Sequence, residues 1–228
     1  MPDRLAIEIG ERRTTALAYP AGGDHRMHVT LVLAHGAGAG QSSPFMVGFA
    51  SGLASRGLDV LTFNFLYTEQ GRRLPDRTAA LETCYRAAIE TARRHAPFAG
   101  NALFIGGKSM GGRIASHLAA NDPDGIGGLV LLGYPLHPPG KPGQLRVAHL
   151  PKIRVPMLVV QGARDPFGTL DELRPHLDGL AAPVTLHGVE NGDHSLAPPR
   201  RGPLSVDGVN GGIQDVITDW VCRVLQAG

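Results

Sequence analysis

Aromatic residues account for only 5% of the chain, and cysteine appears just twice among 228 residues. Cys84 and Cys222 stand far apart in helix-like surroundings. That spacing suits neither a metal site nor a disulfide framework, so both are read as small buried hydrophobes. An excess of one charge is lacking as well: the formal net charge is +2, acids and bases are mixed along the sequence, and there is no long basic run. With so few aromatics, nothing calls for a nucleic-acid partner. No apolar run approaches the ~18 residues that suggest a membrane span. Met1 to Ile9 alternates polar and apolar residues, like a first strand and unlike an export signal. The expectation is a cytoplasmic protein without membrane or nucleic-acid partner, metal or cofactor.

What the chain does have is alternation. Strands are expected at Met1–Ile9, 14–18, 29–34, 58–63, 102–106, 128–132, 155–161 and 183–189. Helices are expected at 44–56, 76–95, 110–120, 169–180 and from about 213. In the second of these, Leu81, Cys84, Tyr85, Ala88, Ile89 and Ala92 recur at the spacing of one buried helical face. Strand-helix repetition argues for a mostly parallel sheet covered on both faces. At this length a chain buries roughly 70 to 75% of its unfolded surface, enough for one core. A single α/β domain over residues 1–228 is therefore expected. Right-handed crossovers place the loops after the strands at one edge of the sheet, where ligands bind in open sheets. Two stretches break the pattern, 133–154 and 197–212. Proline density in the first argues against a helical cap. It is either a loop overhanging the site or a surface connection.

The most informative segment is Leu103 to Ala115, where an apolar strand passes through Gly107-Lys108-Ser109-Met110-Gly111 into a helix pattern. Glycines two residues either side of a serine allow a sharp, strained turn that lifts the hydroxyl above the sheet. The same residues satisfy a loose phosphate-loop pattern ending in Gly107-Lys108-Ser109. A phosphate loop must curl its central residues around an anion, whereas Leu103, Phe104 and Ile105 want to be buried strand. The serine reading is the stronger one.

Serine needs a base, and histidine titrates in the right range. His194, in the loop after the last expected strand, is the candidate base. Asp165, after the strand ending in Gln161-Gly162, is the candidate acceptor that orients it. Asp193 is adjacent to His194, but neighbours on one loop usually point apart. An oxyanion hole needs two preset donors. Met110 supplies one N–H and the His35-Gly36-Ala37-Gly38 loop the other, with Ala37 the candidate. Gln41 occupies the third glycine position of a dinucleotide fingerprint, which weakens that reading of the same loop. His35 is read as a structural hydrogen-bonding residue.

Taken together, the chain resembles the α/β-hydrolase superfamily, which uses the order Ser109, Asp165, His194. Within it, His35 to Ala39, Gly107 to Gly112, Leu132 to His137 and Gln161 to Gly168 resemble a compact subgroup. That subgroup is similar to dienelactone-hydrolase-like proteins and to the hydrolase-like domain of a chromatin-complex subunit. The resemblance implies an α/β-hydrolase fold with no large cap domain and a serine hydrolase of esterase type working through an acyl-enzyme. True dienelactone hydrolases use cysteine where this chain has Ser109, so their substrate is not carried over. The expected partner is a small-molecule acyl substrate, and oligomeric state is left open. Asn64, Phe65 and Tyr67 are candidates to line the mouth or to pack the loop. Lys108 and Arg164 either attract an anionic substrate or are plain neighbours of reactive residues. A catalytically idle interaction protein on the same fold is the alternative.

Overall fold

The computed structural model describes residues 2–22, 26–199, 201 and 205–227. Met1 ahead of the first strand, and Arg200 and residues 202–204 of the second irregular stretch, lie outside the described residues. Eight strands form one sheet: β1 Asp3–Ile9, β2 Arg12–Tyr19, β3 Val29–Ala34, β4 Asp59–Phe63, β5 Ala102–Lys108, β6 Gly128–Leu132, β7 Met157–Gly162 and β8 Val184–Val189. The order is β1-β2-β4-β3-β5-β6-β7-β8. Only the β1/β2 and β2/β4 pairings are antiparallel; the others are parallel. The helices are α1 Pro44–Ala54, α2 Leu66–Glu69, α3 Thr78–Arg94, α4 Met110–Asn121, α5 Leu170–Leu177 and α6 Val206–Ala227. Among the described residues no large cap domain stands over the sheet.

Strand periodicity divides the apolar residues between two faces. Leu31 and Leu33 of β3 join Phe49 and Leu53 of α1 and Ile217 and Trp220 of α6 in one core layer. Val32 and Ala34 join Leu81, Tyr85 and Ala88 of α3 and Ile114 and Leu118 of α4 in the other. The helical face expected on α3 is buried as a unit. Cys84 lies in that face, donates its thiol to the Asn64 carbonyl at 3.7 Å, and is pushed up to about 12 by burial. Cys222 departs from expectation, being only half-buried on α6. Among the described residues no helix is long and apolar enough to cross a membrane.

Two elements depart from the pattern reading. The four-residue α2 is too short to show periodicity. α6 begins at Val206, seven residues before the expected start near 213. Gly208, Gly211 and Gly212 weaken helix propensity there by about 1 kcal/mol each. Tertiary contacts override that weakness. Ser205 Oγ accepts the Gly208 N–H at 3.0 Å. Arg56 of the α1 end reaches Asp215, Gln214 and the Gly211 carbonyl. The segment 133–154 contains no helical cap: Tyr134 and Leu136 are buried beside the Asp165 loop, whereas Pro139 to Leu145 run exposed across the surface.

Tyr85 does more than pack. Its hydroxyl accepts the Gly106 N–H at 2.9 Å and shares its one hydrogen between the carbonyls of Val32 (2.7 Å) and Gly106 (2.6 Å). Phenylalanine at this position removes the hydroxyl that ties α3 to the two central strands, so Tyr85→Phe is expected to cost about 1 kcal/mol. Urea unfolding will show this as a lower midpoint with an unchanged slope.

Candidate active site

β5 ends at Lys108 and α4 begins at Met110, so the whole change of direction falls on Ser109, at φ 50 and ψ −114. A non-glycine residue at positive φ is strained and persists only where its surroundings enforce it. Here the enforcement is close backbone packing. A Cβ on Gly107 would lie 2.6 Å from the Ala34 carbonyl oxygen and from the Gly111 backbone, and one on Gly111 would press into the Ala34 and His35 carbonyls. Ser109 N–H donates to the Leu132 carbonyl at 2.9 Å, tying the turn to β6.

The structure brings the three expected side chains together from three loops at the same sheet edge. Ser109 Oγ lies 2.8 Å from His194 Nε2, and His194 Nδ1 lies 2.8 Å from Asp165 Oδ2. An Nδ1–H donating to the carboxylate leaves Nε2 free to accept the serine hydroxyl. Asp165 is 1% exposed, and its other oxygen accepts the Phe167 N–H at 2.8 Å. Phe167 stacks on the His194 ring with centroids 4.0 Å apart. Asp193 is occupied otherwise: its Oδ1 accepts the N–H groups of Ser195 (2.8 Å) and Ala197 (3.1 Å), closing the turn that carries His194.

The Ala37 loop faces the same turn, since a Cβ on Gly36 would sit 3.6 Å from Ser109 Cβ. Among the described residues neither Ala37 N–H nor Met110 N–H donates to a protein acceptor. Met110 is the first residue of α4, where the helix leaves its N–H groups unpaired and its dipole favours negative charge. His35 is fully buried. Its Nδ1 donates to the Gly36 carbonyl at 2.8 Å and its Nε2 accepts the Phe65 N–H at 3.1 Å, so it braces the loop as a neutral ring, with burial holding its pKa below the ordinary value.

Of the three mouth candidates, Asn64 and Tyr67 line a cavity of about 480 Å³ that opens from Gly38 and Ala39. Phe65 does not. It is buried under His35, ring edge to face at 5.1 Å, because it precedes α2 and turns into the Phe63 cluster. Among the described residues no group of three or more His, Cys, Asp or Glu side chains is gathered in a way that could hold a metal.

A family model for the alpha/beta hydrolase domain matches residues 27–221. The chain belongs to the alpha/beta hydrolase family. Its fold is similar to that of dienelactone hydrolase from Anabaena variabilis, at 20% identity and TM-score 0.76 over 98% of this chain and 97% of that one. It is also similar to an α/β serine hydrolase without lid from Xanthomonas campestris, at 19% identity and TM-score 0.76 over 96% and 94%. A third likeness is to Est1E from Butyrivibrio proteoclasticus, at 13% identity and TM-score 0.77 over 98% and 99%. At these identities the likeness concerns the fold.

Two features of this site are not legible in the sequence: the role of Gln161 and the hold of Lys108 and Arg164 on the histidine loop. Gln161, fully buried in an otherwise apolar strand, donates through Nε2 to Asp165 Oδ2 (3.0 Å) and the Gly168 carbonyl (2.7 Å), while its Oε1 accepts the Tyr134 N–H at 2.7 Å. Its polarity inside β7 is the one signal that marks it. Lys108 reaches across to the histidine loop. Its half-buried amine donates to the His194 carbonyl and sits 5.9 Å above the Phe45 ring. Arg164 likewise donates to the His194 loop, at the Asn191 carbonyl, 3.2 Å away. Both cations hold the histidine loop.

Burial pulls the Lys108 amine down to about 8 from an ordinary 10.5, against the opposing pull of Asp165 and Asp193. The unfolded chain therefore binds this proton more tightly, so the charge costs stability below about pH 8, and the cost fades as pH rises toward 10.5. Lys108→Met is expected to raise the thermal midpoint near neutral pH by a margin that shrinks in more alkaline buffer. A margin constant across that range would contradict the buried charge.

Proposed function

We propose that the protein is a serine hydrolase of esterase type that cleaves small or polar acyl esters through an acyl-enzyme, as a single domain without cofactor. One observation carries the reading: the unbroken relay from Ser109 Oγ through the His194 ring to buried Asp165, with both links at 2.8 Å. Ser109 Oγ attacks the substrate carbonyl as its proton passes to His194 Nε2, and Asp165 stabilises the imidazolium. The N–H groups of Ala37 and Met110 receive the oxyanion. His194 then gives its proton to the departing alkoxide, and the acyl group stays on Ser109. A water that loses its proton to the same nitrogen releases the acid and restores the serine. The uncapped sheet edge and the open, partly polar cavity beside it favour small or polar acyl groups over long lipid chains.

A fluorophosphonate probe is expected to label the wild-type protein and not Ser109→Ala. A folded wild-type protein that resists labelling would point instead to an idle member of the fold. The two aspartates separate in the same way. Asp165→Asn should lower kcat by about a thousandfold or more. Asp193→Asn, which perturbs only a turn, should cost less than about tenfold. The opposite ranking of the two variants would move the orienting role to Asp193.

A further inference from the structure

The cavity beyond the oxyanion loop has a chemistry of its own. Its walls are formed by Gly38, Ala39, Asn64, Tyr67, Arg72 and Arg73, among others, and among the described residues no acidic side chain lines it. Glu69, the acid closest in the chain, turns to β2 and accepts from Thr15 Oγ1 (2.9 Å) and Asn64 Nδ2 (2.8 Å). Asp76 is taken by Arg72 at 2.6 Å, and Gln70 Oε1 accepts from Arg72 Nε at 3.0 Å. These contacts fix one guanidinium and leave Arg73 with no ion pair or hydrogen bond to protein among the described residues. A second observation is independent of charge. Tyr67 is 1% exposed, and its buried hydroxyl has no acceptor for its hydrogen among the described residues. A buried phenol hydrogen lacking an acceptor and a guanidinium lacking a counter-ion, on the walls of one cavity, are both answered by an oxyanion.

We infer that this cavity is the subsite for a carboxylate or phosphate group carried by the substrate, so that the enzyme prefers anionic acyl esters to neutral ones of equal length. The inference rests on the hydrolase reading given above. It also reassigns the electrostatic role: the bases next to reactive residues, Lys108 and Arg164, hold the His194 loop, while Arg72 and Arg73 across the mouth face the ligand space. Arginine stays charged throughout the working pH range, so the preference does not depend on pH. The cavity is open to solvent, so the preference weakens with salt.

The test compares kcat/KM for 4-nitrophenyl hemiglutarate and hemiadipate with 4-nitrophenyl pentanoate and hexanoate, with Ser109→Ala as the blank. A parallel pair, 3-carboxyphenyl acetate and phenyl acetate, places the charge on the leaving group. One of the charged members is expected to win by about tenfold, which is about 1.4 kcal/mol. That ratio should collapse toward one in Arg73→Gln and in high salt, and persist in Arg223→Gln on α6 at the far end of the sheet. Equal rates in every pair, or a ratio unmoved by Arg73→Gln, would overturn the inference while leaving the hydrolase intact. Binding is read separately. Glutarate or inorganic phosphate should raise the thermal midpoint of Ser109→Ala and not of the Ser109→Ala, Arg73→Gln double variant. No such shift with either anion overturns the subsite whatever the esters show. A shift without fluorophosphonate labelling keeps the subsite and removes the hydrolase.

Discussion

Between the end of β3 and the start of α4 two backbones run so close that Gly111 has no room for a methyl group against the Ala34 and His35 carbonyls. That contact does three things at once. It forces the reversal onto Ser109, whose positive φ lifts its hydroxyl clear of the sheet. It leaves the N–H of Met110 unpaired at the start of α4, and it brings the His35 to Gly38 loop against the turn. A strained residue of this kind is held by everything around it, and here the surroundings are the two central strands, pinned further by the Tyr85 hydroxyl on Val32 and Gly106.

The histidine side of the site is assembled differently. Nothing in residues 190–197 forms a helix or strand, so its shape is borrowed from neighbours. Asp193 closes the turn from within, Arg164 and Lys108 hold two carbonyls from outside, and Gly162 lets the loop lie directly on the end of β7. A half-buried ammonium is a costly way to fix a carbonyl, since desolvation works against it. Its placement under the loop that bears His194 is a case of stability given up for geometry. Gln161 does the matching job for Asp165, with no charge to desolvate.

The fold was legible to the extent that periodicity carried it. β3 and β6 match the expected bounds, and the other strands lie within a few residues of them, because each is a short apolar run between turn residues. The pattern places the start of α6 too late because three glycines mask its first two turns, and contacts with α1, distant in sequence, explain why it begins at Val206. At the site, Ser109, Asp165 and His194 were legible because each follows a strand at the same edge, and topology converts that into proximity. Phe65 was not, since the order Asn64-Phe65-Leu66-Tyr67 gives no sign of which side chain turns inward. The sequence leaves the role of Lys108 open for a related reason: adjacency to Ser109 does not tell that its amine reaches the His194 carbonyl.

The bare sheet edge over Ser109 has a further meaning. Enzymes with lids hold a covalent intermediate away from solvent long enough for another nucleophile to intercept it. Here the mouth is an open rim, so in the proposed reaction an acyl group on Ser109 would meet bulk water at once. Partitioning would then run to the free acid, and alcohols or amines present at ordinary concentrations would compete poorly for transfer.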